Sequence, residues 1–307
     1  MANYLASGGD DQEPTVLIVG AMAIDAKGQP SQALVSGRST PGTVHLTIGG
    51  GGRNIAENLA RLGVRTTLLS AVGADPIGQI LLEATTRSGV DTSHVVTSGQ
   101  HRTAGYMAVL DRDGVPAYAI DDMAVMEVVT PAWVYRHRRL FRDAAMVVLD
   151  ANLSSKTIDI CFRLARKYGR PVCVDPTSSV LANRFRPHMA EILLMTPNAS
   201  EAEALTGLDL DTRDVHDLAG ALLEAGVEIA IITLAELGLY YMSSDESGRV
   251  PALKRDVTDL TGAGAALTAG VIFGLLNEFE IGEAMRLGIS AAAITIQCPE
   301  TVCPDLS

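Results

Sequence analysis

The chain has 307 residues, 47% apolar but only 4% aromatic, enough for one large α/β domain or two smaller ones around an aliphatic core. Its formal net charge of −12, with no basic stripe, argues against a nucleic-acid backbone as partner. No apolar run is flanked like a signal peptide or reaches the length of a membrane span, so a cytoplasmic protein is expected. Cys161, Cys173, Cys298 and Cys303 lack a zinc spacing and are expected as reduced thiols.

In chain order, Met1–Pro14 is polar and reads as a loose tail. Thr15–Gly20 is a continuous apolar run ending in glycine, the pattern of a buried parallel strand. Leu34–Ser36 and Thr43–Ile48 read as two short strands around the turn Ser39-Thr40-Pro41-Gly42. Asn54–Leu62 is an amphipathic helix stopped by Gly63. Arg65–Val72 is strand-like, and Pro76–Ser88 a helix with proline at its start and Gly89 beyond its end. Tyr106–Asp111 and Pro116–Ile120 flank Arg112-Asp113-Gly114, a hairpin signal. Strands then follow at Ala145–Asp150, Pro171–Asp175, Ile192–Thr196 and Ile229–Leu234. Helices fall at Lys156–Lys167, Ala199–Leu205, Val215–Ala225, Gly264–Leu276 and Ile281–Ile296.

Alternating strands and helices argue for an α/β fold with a Rossmann-like, mostly parallel sheet sandwiched by helices. The two β excursions, around 31–47 and 104–121, are expected to pair into one small sheet capping the main body. The expected division is a core of 15–30, 48–103 and 122–307, a β lid of 31–47 and 104–121, and a tail of 1–14. Open α/β sheets bind ligands beyond the carboxyl ends of their strands, where a lid can exclude water.

Chemistry-bearing residues gather at those strand ends. Asp25 follows the first strand and can accept from sugar hydroxyls, or simply form a turn. The first strand does not lead into the glycine fingerprint of dinucleotide-binding oxidoreductases. Gly49-Gly50-Gly51-Gly52-Arg53-Asn54 bares the backbone to a ligand, and Asn54 can both donate and accept; it also suits a flexible loop with a helix cap. Asn198 with Glu201 three residues later reads as a capping box, or as a pair near phosphates and Mg²⁺-bound water. Thr233-Leu234-Ala235-Glu236-Leu237-Gly238 ends a strand and offers a hydroxyl and amides to phosphates, or an ordinary strand-turn-strand. Gly262-Ala263-Gly264-Ala265 opens a helix whose first N–H groups and dipole favour an anion, or is only a tight turn.

Together and in this order, these stretches, with Val72-Gly73-Ala74-Asp75-Pro76-Ile77-Gly78 and Asp259–Gly264, resemble the ribokinase-like (phosphofructokinase-B type) family of sugar and nucleoside kinases. The resemblance runs from Thr15 to about Cys303. It implies a ribokinase-like core with a small β lid, ATP and Mg²⁺ with K⁺ as a further candidate, phosphorylation of a hydroxymethyl group, and a homodimer formed through the lid. Arg53–Gly63 and Asp150-Ala151-Asn152-Leu153 are similar to the pseudouridine kinase branch. That branch implies transfer of the ATP γ-phosphate to the 5′-hydroxyl of pseudouridine; another nucleoside or a ribose-type sugar is the alternative. Carried over, the resemblance puts Asp25, Gly50, Gly51, Asn54 and Asn152 at the nucleoside. Asn198, Thr233, Gly238, Gly262 and Gly264 go to ATP, Glu201 to Mg²⁺ through water, and Asp259 to a monovalent-cation site. The amides of Gly262, Ala263 and Gly264 form the anion hole.

At one position the chain departs from the family. Where the final motif ends Gly-Ala-Gly-Asp, and that Asp takes the hydroxyl proton, this chain has Ala265. A methyl group accepts no proton, and loss of a positioned base typically costs about 10²–10⁴ in rate. Either an Asp→Ala change was introduced into a working kinase, or the chain is a natural pseudokinase that binds without turnover. The intact state of the other motifs favours the first.

Overall fold

The structure is a computed structural model that describes residues 14–111 and 116–306. The expected tail, apart from Pro14, and the hairpin turn Arg112-Asp113-Gly114 lie outside the described residues. The chain begins β1 (Thr15–Val19), β2 (Ala23–Pro30), β3 (Gly42–Gly49), α1 (Gly51–Arg61), β4 (Arg65–Gly73), α2 (Pro76–Arg87), β5 (Val95–Ser98), β6 (Ala104–Leu110) and β7 (Pro116–Asp122). It continues with α3 (Pro131–Arg136), α4 (Arg138–Asp143), β8 (Met146–Asp150), α5 (Ser155–Tyr168), β9 (Val172–Asp175), α6 (Ser179–Ala182), β10 (Leu194–Met195) and α7 (Ala199–Thr206). It ends with α8 (Val215–Glu224), β11 (Ile229–Thr233), β12 (Leu239–Ser243), β13 (Ser247–Val250), α9 (Ala263–Leu276) and α10 (Ile281–Thr295).

Among the described residues nine strands form the main sheet, in the order β13-β12-β11-β10-β9-β8-β1-β4-β5. Pairing is parallel from β5 through to β11 and antiparallel at β12 and β13. The period of two explains why β1 is apolar throughout. Leu17 and Val19 feed a core with Phe141, Phe162 and Phe185, whereas Val16 and Ile18 feed one with Ile55, Leu59 and Val271. Helices therefore cover both faces, and the strand ends are left for the site.

The second sheet has, among the described residues, four strands in the order β3-β2-β6-β7. Register sets its two faces apart. Leu46, Ala26, Met107 and Ile120 lie in one row across it, and Asp25 pairs with Thr47 and Tyr106 in the next. Asp25, Lys27 and Tyr106 thus share a face, and His45, paired with Lys27, is on it but exposed. The opposite face carries Val44, Leu46, Met107, Tyr118 and Ile120, all exposed.

Several elements differ from expectation. β2 lies in the small sheet, although residues 15–30 were expected in the core. Its sequence, AIDAKGQP, alternates weakly and includes a glycine and two charges, so it carries little strand signal. Leu34–Ser36 is not a strand, and β3 pairs with β2 instead. Helix α1 starts at Gly51, three residues early, because a distant carboxylate caps it. Cys298 and Cys303 are joined in a disulfide rather than reduced, their Cα atoms 5.6 Å apart, within ordinary bridging distance. Cys161 and Cys173 are buried free thiols, and burial pushes both up, so they stay protonated. Among the described residues no helix is long and apolar enough to cross a membrane.

Candidate active site

A cavity of about 310 Å³ lies beyond the carboxyl ends of β1 and β8 to β11, between the N-termini of α1 and α9 and the inward face of the small sheet. Its wall brings together Asp25, Gly50, Gly51, Asn54, Asn152, Asn198, Glu201, Thr233, Gly262, Gly264 and Ala265. Gly238, Ala263 and Asp259 are not on that wall. Gly238 has φ +92° and packs against the Pro251–Ala252 backbone, which is reason enough for a glycine there. Ala263 is the first residue of α9, and Asp259 lies just behind the wall, hydrogen-bonded to the amide of wall residue Thr261 at 2.8 Å.

At one end the glycine cluster is organised by Asp150. This carboxylate closes β8, is fully buried, and accepts from the Ala21 and Gly52 amides at 2.7 and 3.0 Å. It therefore ties the turn after β1 to the first turn of α1, whose own N-cap, Gly50, has no side chain to offer. Its other oxygen accepts from the Asn152 amide at 3.0 Å, setting the loop that carries Asn152. Burial raises the pKa of Asp150.

Asp25 and Asn54 face the cavity with complementary chemistry. Among the described residues nothing hydrogen-bonds the Asp25 carboxylate, which is only 7% exposed. Burial pushes its pKa up to about 6 against the pull of Lys27 and Arg53. The Asn54 amide oxygen accepts from Arg53 Nη1 at 2.9 Å and Thr301 Oγ1 at 3.2 Å. Its NH₂ group has no partner among the described residues, so Asn54 offers the cavity a donor rather than both roles. Arg53 is itself buried and held by Glu57. An acceptor beside a donor is what a pair of sugar hydroxyls requires.

Across the cavity, Gly262 is the N-cap of α9, with φ +86° and no side-chain cap hydrogen bond. A Cβ there would come within 2.8 Å of the Thr301 carbonyl carbon. The Ala263 amide donates to the Leu260 carbonyl at 3.3 Å, whereas the Gly264 and Ala265 amides have no backbone acceptor among the described residues and, with the dipole, suit an anion. Ala265, 7% exposed, sits in this first turn. Nearby, Asn198 and Glu201 form the capping box of α7: the Glu201 amide donates to Asn198 Oδ1 and the Asn198 amide to Glu201 Oε2, each at 2.9 Å.

Two expected ions fare differently. Glu201 spends one oxygen on the cap, and its other has no protein partner among the described residues. Asp175, which closes β9 and lines the cavity, is pushed up to about 7 by burial first and by the Glu201 charge second. Among the described residues no group of three or more His, Cys, Asp or Glu is arranged to hold a metal directly. This donor set suits a hydrated Mg²⁺ reached through water. The Asp259 carboxylate does not suit a monovalent cation, because Lys27 Nζ already donates to both its oxygens, at 2.7 and 2.6 Å.

The sequence matches the pfkB family carbohydrate kinases over residues 13–305. The chain belongs to that family. This pfkB-family chain is 34% identical to the pseudouridine kinase of Escherichia coli (strain K12), covering 95% of this chain and 93% of that protein. The solved structure of a carbohydrate kinase from Agrobacterium tumefaciens is 31% identical and superposes with a TM-score of 0.82, covering 96% of this chain and 94% of its own. The Arabidopsis thaliana ribokinase solved with ribose and ATP is 21% identical with a TM-score of 0.82, covering 95% and 96%. The fold of this family member is ribokinase-like: a large, mostly parallel sheet flanked by helices, with a smaller separate sheet.

Proposed function

We propose that the chain is the scaffold of an ATP-dependent nucleoside kinase for pseudouridine, disabled at its catalytic base by Ala265. One observation carries this: a single cavity joins a hydroxyl-recognising pair, Asp25 and Asn54, to an uncapped helix N-terminus suited to phosphate. Similarity to the Escherichia coli pseudouridine kinase supports the choice of nucleoside.

In this scheme Asp25 and Asn54, with Gly50 and Gly51 against the sugar, hold the ribose, and Asn152 lies towards the base. Asn198 and Thr233 border the nucleotide phosphates. The 5′-hydroxyl oxygen attacks the γ-phosphorus, the bond to the β-phosphate oxygen breaks, and ADP leaves with the electron pair. The amides of Gly262 and Gly264, which line the cavity, receive the negative charge of the transferring group. Mg²⁺ would neutralise phosphate charge here, and Glu201 would hold it through water. The hydroxyl proton needs an acceptor at position 265, where alanine offers none, so binding persists while turnover falls. Removing a carboxylate there also removes repulsion against the phosphates, so nucleotide affinity is kept or improved. An introduced Asp→Ala change fits a cavity wall that still carries Asp25, Asn54, Asn198 and Glu201 better than natural decay does. ATP as co-substrate suits the cytoplasm. The exposed apolar face of the small sheet fits a homodimer formed lid to lid.

Calorimetric competition among pseudouridine, uridine, adenosine and ribose tests the substrate. Pseudouridine has a ring N–H that uridine lacks, and a site built to bond it discriminates. Pseudouridine is expected to bind tightest; adenosine or ribose binding more tightly would overturn the assignment.

A further inference from the structure

Lys27 lies on the inward face of the small sheet, yet its ammonium reaches across to the loop before α9. It donates to both oxygens of Asp259, at 2.7 and 2.6 Å, and to the Thr261 hydroxyl. The pair is sheltered, with side chains 15% and 24% exposed. Asp259 in turn accepts from the Thr261 amide at 2.8 Å, and the Thr258 and Asp259 amides donate to the Ile296 carbonyl at 2.7 and 3.2 Å. One residue later comes Gly262, the left-handed start of α9. The carboxylate holds the turn that leads into α9, and Lys27 supplies its counter-charge.

We propose that the Lys27 ammonium is a tethered monovalent cation for this turn, so that nucleotide binding needs no added K⁺. An ammonium is a compact point charge with three donors, and here two carboxylate oxygens and a hydroxyl take all three. Because Lys27 stands on β2 of the small sheet, the same contact fastens that sheet to the phosphate end of the cavity. Lys27 acts through the turn and is a positioning residue. This inference rests on the proposed ATP site.

The test measures ATP affinity by calorimetry, with Mg²⁺, in potassium chloride and in tetramethylammonium chloride, whose cation is too large for the turn. The unaltered chain is expected to bind ATP within about twofold in the two salts. Lys27→Met is expected to lose about tenfold in tetramethylammonium and to regain most of it in potassium, a rescue that a purely structural role would not give. A tenfold potassium requirement in the unaltered chain would overturn the inference, and so would a Lys27→Met chain that binds ATP equally in both salts. If Lys27→Met does not fold, the salt comparison on the unaltered chain and on Lys27→Gln still decides. Failure of the unaltered chain to bind ATP in either salt overturns the kinase assignment, and the inference with it.

Discussion

Asp25 lines the cavity, where its protonation state bears on a ligand. Its pKa is raised from 3.8 to about 6, so the folded state holds the proton more tightly than the unfolded chain. The stability this contributes is complete below pH 3.8 and is lost as pH rises through about 6. Nucleoside binding runs the opposite way if ribose hydroxyls donate to the ionised carboxylate. Affinity for pseudouridine should then be roughly tenfold weaker at pH 5 than at pH 7. Titration calorimetry across that range checks this, and Asp25→Asn should bind weakly with a flat profile. A pH-independent affinity in the unaltered chain would remove Asp25 from the hydroxyl contacts. At this scale the sequence shows which residues carry chemistry but not who holds them. Arg53 and Thr301 direct the Asn54 amide from one and 247 positions away in sequence, and only the fold brings Thr301 there. Asp150 and Asp175 were legible in one respect: each ends a short apolar strand in aspartate, MVVLD and VCVD. A charge closing a buried strand is a signal of a site, because burial without partners is costly.

Helix N-termini are the elements that the site depends on. Asp150 substitutes for the missing cap of α1, so Asp150→Ala leaves the buried Ala21 and Gly52 amides unpaired. An unsatisfied buried donor costs about 1–3 kcal/mol, so with two of them the variant should lose about 2–6 kcal/mol of stability, which denaturant unfolding would read. At α9, Gly262→Ala would force a side chain into φ +86° and against the Thr301 backbone. That strain of about 1–3 kcal/mol should appear as a lowered melting temperature and weaker ATP binding. Unchanged values for both would mean that the turn adapts freely. The buried parallel strands and their following helices were readable, since apolar runs and 3.6-residue periodicity are local signals. The start of α1 was hidden because its cap comes from residue 150. Strand β2 was hidden because its partners, β3 and β6, supply the apolar face that its own sequence lacks.

For the whole molecule, the small sheet is two surfaces in one element. Its inward face carries Asp25, Lys27 and Tyr106, and its outward face exposes Val44 and Tyr118 by 72% and 74%. Contiguous exposed apolar rows of this kind mark interaction surfaces. A lid-to-lid dimer would cover them, and sedimentation should show a dimer for the unaltered chain and a monomer for Ile120→Lys. A monomeric unaltered chain at micromolar concentration would contradict the dimer. The existence of two β excursions was legible, but their pairing through a strand at Ala23–Pro30 was not. The measurement that bears most directly on the central claim is ATP-dependent ADP release with pseudouridine, on this chain and on Ala265→Asp side by side. A restored carboxylate should raise turnover by about 10²–10⁴, with this chain near background. If neither chain turns over pseudouridine, or if both do so equally, the account of a pseudouridine kinase disabled at position 265 is wrong.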